Sequence, residues 1–213
     1  MIPSLLRLAE HNALAKISLS GKVLDLGGVK RSEYSRLIKG DHSVTIVNLD
    51  TGTQPDVIHD LEQPLPFPDA SYDHVLLINV LEHVYHYRQL LDEASRVIHP
   101  GGTAVIVVPF FFPIHPSPHD YWRFTAETLR KECEHAGLTV QAIVPLGTGV
   151  FSARYLAIDR LMPIFIRFIS YYSLRYLALA LDVAFARFAQ FAGKKYQPSD
   201  YPLGYVLTAV KSA

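Results

Sequence analysis

The stretch KVLDLGGVKRSEYSRLIKGDHSVTIVNLD, Lys22 to Asp50, decides the fold. Its first run, VLDL (23–26), is short and β-rich and passes directly into Gly27-Gly28. Its second, SVTIVNL (43–49), ends at Asp50, which follows Gly27 by 23 residues. Glycine at the end of a strand lets the backbone turn tightly and approach a ligand closely. An acidic side chain at the end of the next strand is placed to accept hydrogen bonds from both hydroxyls of a ribose. The stretch therefore predicts a βαβ unit with a nucleotide-like ligand at the carboxyl ends of its strands.

The same alternation continues outward. DVIHD (56–60), HVLLINV (74–80), TAVIVVP (103–109), TVQAIVP (139–145) and GYVLTAV (204–210) complete seven strands. The first five are nearly continuously apolar, as expected of strands covered by helices on both faces. Leu90, Leu91, Ala94, Val97 and Ile98 lie on one face of a helix over Tyr87 to Ile98, which stops at Pro100-Gly101-Gly102. A second helix spans Ala126 to Ala136, with Thr125 as its N-cap and Gly137 as its stop. The fold expected is α/β: a Rossmann-like, seven-stranded, mostly parallel sheet with an antiparallel last strand and a helical insertion before it. All of 1–213 reads as one domain: an N-terminal surface helix (1–20), a ligand-binding core (21–146), an apolar insertion (150–195) and a last strand (202–211).

Composition narrows the function. Twenty Lys plus Arg balance twenty Asp plus Glu, so no overall basic field attracts a nucleic-acid backbone. A single cysteine, Cys133, excludes an internal disulfide and a multi-cysteine zinc site, and suits a reducing compartment. Arg7, Glu10 and His11 interrupt the N-terminal apolar residues, which read as a helix and not as a signal peptide. The expected location is cytoplasmic.

VLDLGG, Asp60-Leu61 at the end of the third strand, the run HDLEQPLPFPDASYDHVLLINVLEHV, and LLDEASRVIHPGGTAVIVVP together resemble the type-11 group of class I S-adenosylmethionine-dependent methyltransferases. The resemblance covers roughly 20–146, and PLGYVLTAVK (202–211) is similar to that family's inserted antiparallel strand. It implies S-adenosylmethionine as cofactor. Carried over by position, Asp25, Gly27 and Gly28 line the methionine moiety, Asp50 holds the ribose, Asp60 and Leu61 meet the adenine, and Asn79 makes a backbone contact. Leu81-Glu82-His83 falls near the methyl group, with His83 touching substrate or merely opening a helix. The nicotinamide fingerprint disagrees, since it requires glycines where Val29 and Ser32 stand. Where the family adds further glycines, this chain reads Val29-Lys30-Arg31. If those side chains leave the pocket open, an enzyme is implied; if they fill it, a non-catalytic interaction module.

The loop PFFFPIHPSPHDYWRFTAETL (109–129) follows the fifth strand and faces the site expected for chemistry. Methyl transfer to a hydroxyl needs a base, and His115 and His119 titrate near neutrality. His119 is preferred because Asp120 adjoins it. Tyr121 and Trp122 are placed to stack on an acceptor ring, and Arg123 to pair with an acceptor phosphate or carboxylate. The competing structural reading has Trp122 and Phe124 plugging the core while Arg123 pairs with an acid. A metal site of His115, His119 and Asp120 is disfavoured, because the histidines sit on a proline-broken segment and not on a helix face. The acceptor expected is a small or lipid-linked, sugar-like molecule.

Phe151 to Ala192 reads as one or two apolar helices interrupted by Arg160, Arg167, Arg175, Asp182 and Pro163, too broken for a bilayer span. At 100° per residue the four charges fall within an arc of about 80°, leaving a broad apolar face. Packing on the sheet or a lid over the pocket stands first. Peripheral contact with the inner face of a membrane comes second, and a homodimer contact third.

Overall fold

The computed structural model describes residues 3–212 apart from 31, 33, 160, 164, 167, 169, 171 and 172, and the side chains of 35 and 159 are likewise left aside. The elements in chain order are α1 (Leu5–Leu14), β1 (Gly21–Leu26), β2 (His42–Asn48), β3 (Val57–Ile58), β4 (Tyr72–Ile78), α2 (Tyr87–Val97), β5 (Ile98–Pro109), α3 (Ala126–His135), β6 (Leu138–Leu146), α4 (Val150–Asp159), α5 (Leu174–Phe191) and β7 (Gly204–Lys211). The sheet order is β3-β2-β1-β4-β5-β7-β6. The β1, β2, β3, β4 and β5 pairings are parallel, and β7 runs antiparallel to both β5 and β6. The strand order reverses beside β1, and β1 and β4 are the strands that end beneath the Gly27 turn and Asn79. In open α/β sheets that switch point is where ligands bind.

Alternation along each strand builds two cores. Leu24, Leu26, Val75, Leu77, Ala104, Ile106 and Val108 point to the face that α2 and α3 cover. Val23, Leu76, Ile78, Val105 and Val107 point to the other, which α1, α4 and part of α5 cover. One expectation at an element end needs adjusting. Ile98 begins β5 and does not end α2, so Pro100-Gly101-Gly102 forms an irregularity inside the strand and not a helix stop. Helix α1 is the expected surface helix, with one stripe turned in: Leu5, Leu6 and Leu14 join the second core, Glu10 on the same stripe is 2% exposed, and Arg7 and Asn12 face out. The Leu6, Glu10, Leu14 spacing carries that carboxylate inward.

The insertion departs further from expectation. Of the four charges, Arg160 and Arg167 lie outside the described residues, but Arg175 and Asp182 are buried, and the apolar side chains face out. Tyr176, Leu177, Leu181, Val183, Phe185, Phe188 and Phe191 are all exposed, the last at 91%. Asp182 turns inward because α4 starts there with unpaired amides. It accepts from Phe151 N at 2.8 Å, Ser152 N at 3.0 Å and Thr148 Oγ1 at 2.9 Å, and also from Ser152 Oγ. The Tyr196 hydroxyl accepts from Val150 N at 3.2 Å. Two residues remote in sequence thus cap one helix. No described helix is long and apolar enough to cross a membrane.

Candidate active site

The turn after β1 is built for close approach. Gly27 has φ +77°, in the left-handed region, and a Cβ there would stand 2.5 Å from Val80 Cγ2. A Cβ on Gly28 would fall inside the Asp25 carboxylate. Asn48 Nδ2 donates to both Gly27 O and Gly28 O at 3.0 Å, and Gly27 N donates to Val47 O at 2.7 Å, so β2 holds the turn in place. Asn79, at the end of β4, takes φ +53°, a conformation that asparagine tolerates better than most residues, and donates its amide to Val107 O at 2.8 Å.

A cleft of about 430 Å³ opens over these strand ends. Gly27, Asp60, Leu61, Asn79 and His83 line it, together with Asn48 and Leu49. Val29 does not close it; that side chain is 41% exposed and borders a neighbouring cavity, while Arg31 lies outside the described residues. Of the remaining positions expected at a cofactor, Asp50 is exposed one residue beyond Leu49, and its Oδ1 accepts from Gly52 N at 2.8 Å. Asp25 lies beneath the turn, 1% exposed, where Oδ2 accepts from the Tyr34 hydroxyl at 2.8 Å and Oδ1 has no hydrogen-bond partner among the described residues.

Burial pushes Asp25 up to about 7, against the opposing effect of the Tyr34 hydrogen bond. A folded-state value above the unfolded one means that the folded protein keeps a proton the unfolded chain has released. Stability from this group is full below 3.8 and is lost as pH rises toward about 7. Relative to Asp25→Asn, the wild type should therefore lose stability between about pH 4 and pH 8. Urea unfolding of both proteins across that range measures it, and a difference that stays constant with pH would show that Asp25 ionises alike in the folded and unfolded chains.

A second cavity, of about 350 Å³, shares Gly27, Asn79, His83 and Ser117 with the cleft and adds Arg7, Glu10, Tyr34 and His115. Its wall corrects the expected catalytic pair. Asp120 does not serve His119. Its carboxylate takes both nitrogens of Arg123, Nη1 at 2.5 Å and Nη2 at 2.8 Å, and accepts from His115 N at 2.9 Å. Arg123 holds Asp120 well below the usual carboxylate range, so Asp120 is a fixed anion, and Arg123 is not free for an acceptor phosphate. His119 is exposed at the rim against the Tyr121 ring, 5.2 Å away, and contributes its carbonyl to the site.

Trp122 donates Nε1 to Val84 O at 3.1 Å and packs on Tyr87, while Phe124 is 3% exposed in the core, so both anchor the loop. Tyr121, 42% exposed, lines the cleft and a third hollow formed by Phe110, Phe111, Phe112 and Ala157, and with Phe111, 46% exposed, it stays open to a ligand.

The two imidazoles at the junction are His83 and His115, with ring centroids 5.0 Å apart. His83 Nδ1 is hydrogen-bonded to His119 O at 2.5 Å and His115 Nδ1 to Pro113 O at 3.0 Å. A carbonyl only accepts, so each Nδ1 carries a proton, and in the neutral ring Nε2 then presents a lone pair. Both Nε2 atoms face the same atom, Oε1 of Glu82, at 3.6 Å and 3.9 Å. Glu82 is fully buried, and burial, more than the nearby Glu10 charge, pushes it up to about 8. The sequence places Glu82 near the methyl group only as part of Leu81-Glu82-His83, and it does not single out Glu10, Asn48 or Leu49. An acidic residue on the Leu6–Leu14 stripe was the available signal for Glu10.

Residues 28–106 match a family model described as a methyltransferase domain. Over this stretch, a little over a third of the chain, the protein is similar to that family. A Mycolicibacterium smegmatis protein described as a probable S-adenosylmethionine-dependent methyltransferase is 32% identical over 108 residues, 48% of this chain and 40% of that one. A demethylmenaquinone methyltransferase of Bacillus licheniformis is 32% identical over 89 residues, 42% of this chain and 37% of that one. The match thus spans about two fifths of either relative.

Solved structures share the whole fold at lower identity. They include the [4+2]-cyclase SpnF (TM-score 0.62, 14% identity, 97% of this chain and 82% of that one) and Haemonchus contortus phosphoethanolamine N-methyltransferase 2 with S-adenosylmethionine (TM-score 0.56, 16%, 96% and 52%). A cyclase among methyltransferases shows that this fold hosts more than one chemistry, so function must be argued from the site.

Proposed function

We propose that the protein is an S-adenosylmethionine-dependent methyltransferase directed at a hydroxyl of a small or lipid-linked acceptor. One observation carries this reading: the cleft over the glycine turn and the cavity holding Glu10 and His115 meet at Gly27, Asn79 and His83. A cofactor seated over the turn and an acceptor beside His115 would therefore share a wall. The turn fits such a cofactor, because Gly27 and Asn79 line an open cleft of about 430 Å³ into which the turn sends no side chain from Gly27 or Gly28. Asp60 and Leu61 would meet the adenine and Asp50 the ribose. S-adenosylmethionine supplies a methyl group already bonded to a good leaving group. The remaining work for this chain is to position the acceptor oxygen and remove its proton, for which the Glu82–His83–His115 cluster stands at the junction.

Isothermal titration with S-adenosylmethionine and S-adenosylhomocysteine tests the reading. Micromolar binding is expected, and no binding to well-folded protein would replace it with a non-catalytic module. Asp50→Ala should weaken that binding about ten- to a hundredfold, the worth of one or two charge-assisted hydrogen bonds. Unchanged affinity would remove Asp50 from the ribose position.

The outward face of α5 favours peripheral attachment to an anionic membrane surface, with a lipid-linked acceptor delivered from it. Arg187 is the one charged residue on the exposed part of α5, and the exposed Lys194 and Lys195 follow it. Between 174 and 195 the exposed charges are all cations, which suits an anionic bilayer better than a second copy of the face, which would bring like charges together. The demethylmenaquinone methyltransferase relatives, whose name specifies a quinone acceptor, are consistent with a greasy substrate. Sedimentation with phosphatidylglycerol vesicles, lost in Phe188→Asp/Phe191→Asp, is the expected result. A concentration-dependent dimer that ignores vesicles would assign the face to a second copy.

A further inference from the structure

We propose that Glu82, His83 and His115 form a three-ligand site for a divalent transition-metal cation, with zinc the best chemical match. The three residues come from two segments, the short turn after β4 and the loop after β5, and each offers one ligand atom, all within 4.8 Å of one another. Two imidazole nitrogens and one carboxylate oxygen form a recurrent zinc set that leaves a fourth position open. A tetrahedral shell with bonds of roughly 2.0–2.2 Å places its ligand atoms about 3.3 Å apart. The Glu82 Oε1 separations of 3.6 Å and 3.9 Å are a few tenths of an ångström wider, within reach of small side-chain rotations.

Three further features point to a cation and not to a packed polar trio. Both histidines are tied at Nδ1 to backbone carbonyls, which fixes the tautomer and turns Nε2 inward; metal-bound histidines are oriented this way by their outer partners. Glu82 has no exposed surface, and among the described residues no other residue hydrogen-bonds to either of its oxygens. Such a carboxylate is costly to bury unless a proton or a cation completes it. Glu10, a second buried carboxylate, is close enough to add to the negative potential at Glu82. The trio differs from the one that sequence reasoning set aside: His115 stays, while Glu82 and His83 replace His119 and Asp120.

Resting on the methyltransferase reading, the cation gives the acceptor a defined chemistry. The fourth position would take a hydroxyl oxygen of the acceptor from the adjoining cavity and lower its pKa, so that its proton leaves to solvent. The acceptor oxygen then donates its electron pair to the sulfonium methyl carbon. The new O–C bond forms as the S–C bond breaks, and that bond's electrons remain on sulfur as a neutral thioether. Oxidation states are unchanged throughout. The acceptor class is accordingly an alcohol, phenol or diol able to ligate a metal through oxygen.

The test uses untagged full-length protein stripped with chelator and titrated with Zn²⁺ by calorimetry and with Co²⁺ by visible absorption, with S-adenosylhomocysteine binding measured separately on each sample. One equivalent of metal and a tetrahedral Co²⁺ spectrum are expected. Glu82→Gln and His115→Ala should each weaken metal binding more than about 100-fold, since even the outer partners of metal ligands are worth 10–100-fold. S-adenosylhomocysteine affinity should change less than about threefold in both, and His99→Ala should behave as wild type. Metal binding that is absent, or equally strong in both variants, overturns the site even where S-adenosylhomocysteine binds. Metal binding without any S-adenosylhomocysteine binding keeps the site and overturns the methyltransferase reading instead.

Discussion

Asp182→Ala should lower stability by about 3–5 kcal/mol, because several buried donors lose their acceptor at about 1–3 kcal/mol each. Asp182 has no exposed surface and receives hydrogen bonds from Phe151 N, Ser152 N, Ser152 Oγ and Thr148 Oγ1. Two of these donors are first-turn amides of α4, which no intrahelical carbonyl can satisfy. The carboxylate also sits at the positive end of that helix, where an anion is favoured. Alanine would leave the donors buried without an acceptor and open a cavity behind them. For a chain of this length, 1 kcal/mol shifts the melting temperature by roughly 2–4 °C, so the melting temperature should fall by about 6–20 °C. Asp182→Asn keeps the shape and one acceptor oxygen and should lose about half as much. Thermal unfolding followed by circular dichroism reads both. A shift under about 2 °C for alanine would mean that water replaces the carboxylate and that α5 does not hold α4.

That result bears on what could be read from the chain. All seven strands, α2 and α3 were legible, because buried parallel strands are continuous apolar runs and caps such as Thr125 and Gly137 are local signals. The orientation of α5 was not. Arg175 and Asp182 share a face, and a charged face ordinarily points to water. Here that face turns inward because Asp182 satisfies a helix start thirty residues earlier, a need invisible in the helix's own pattern. The candidate site divides in the same way. Gly27, Asp60, Leu61 and Asn79 sit at strand ends, where position follows from topology, and all line the cleft. The loop residues failed as a pair because adjacency in sequence was taken for contact. His119 and Asp120 are neighbours along the chain, yet the Asp120 carboxylate is turned to Arg123 and His115.

The same difference between adjacency and contact decides the second large effect, at the glycine turn. Gly28 does not need its flexibility, since its φ is not positive; it needs the absence of a side chain, because a Cβ would overlap the Asp25 carboxylate. Asp25 cannot retreat easily. It is 1% exposed and tied to the Tyr34 hydroxyl, and Asn48 holds the two carbonyls of the turn from the opposite side. Gly28→Ala must therefore lift the turn toward the cleft or push Asp25 off Tyr34. Overpacking of this kind costs about 1–3 kcal/mol of stability. A lifted turn would also occupy cofactor space, so S-adenosylhomocysteine affinity should fall more than about tenfold, or 1.4 kcal/mol. Asp25→Ala vacates the space that the new methyl group needs. In a double-mutant cycle, Gly28→Ala should then cost at least about 1 kcal/mol less in the Asp25→Ala background than in wild type, a coupling expected only of residues in contact. Additive losses in the cycle would place the damage in the backbone of the turn and break the link between Gly28 and Asp25. Recovery of stability without recovery of binding would show that Asp25 itself acts on the cofactor side, as the strand-end resemblance first implied.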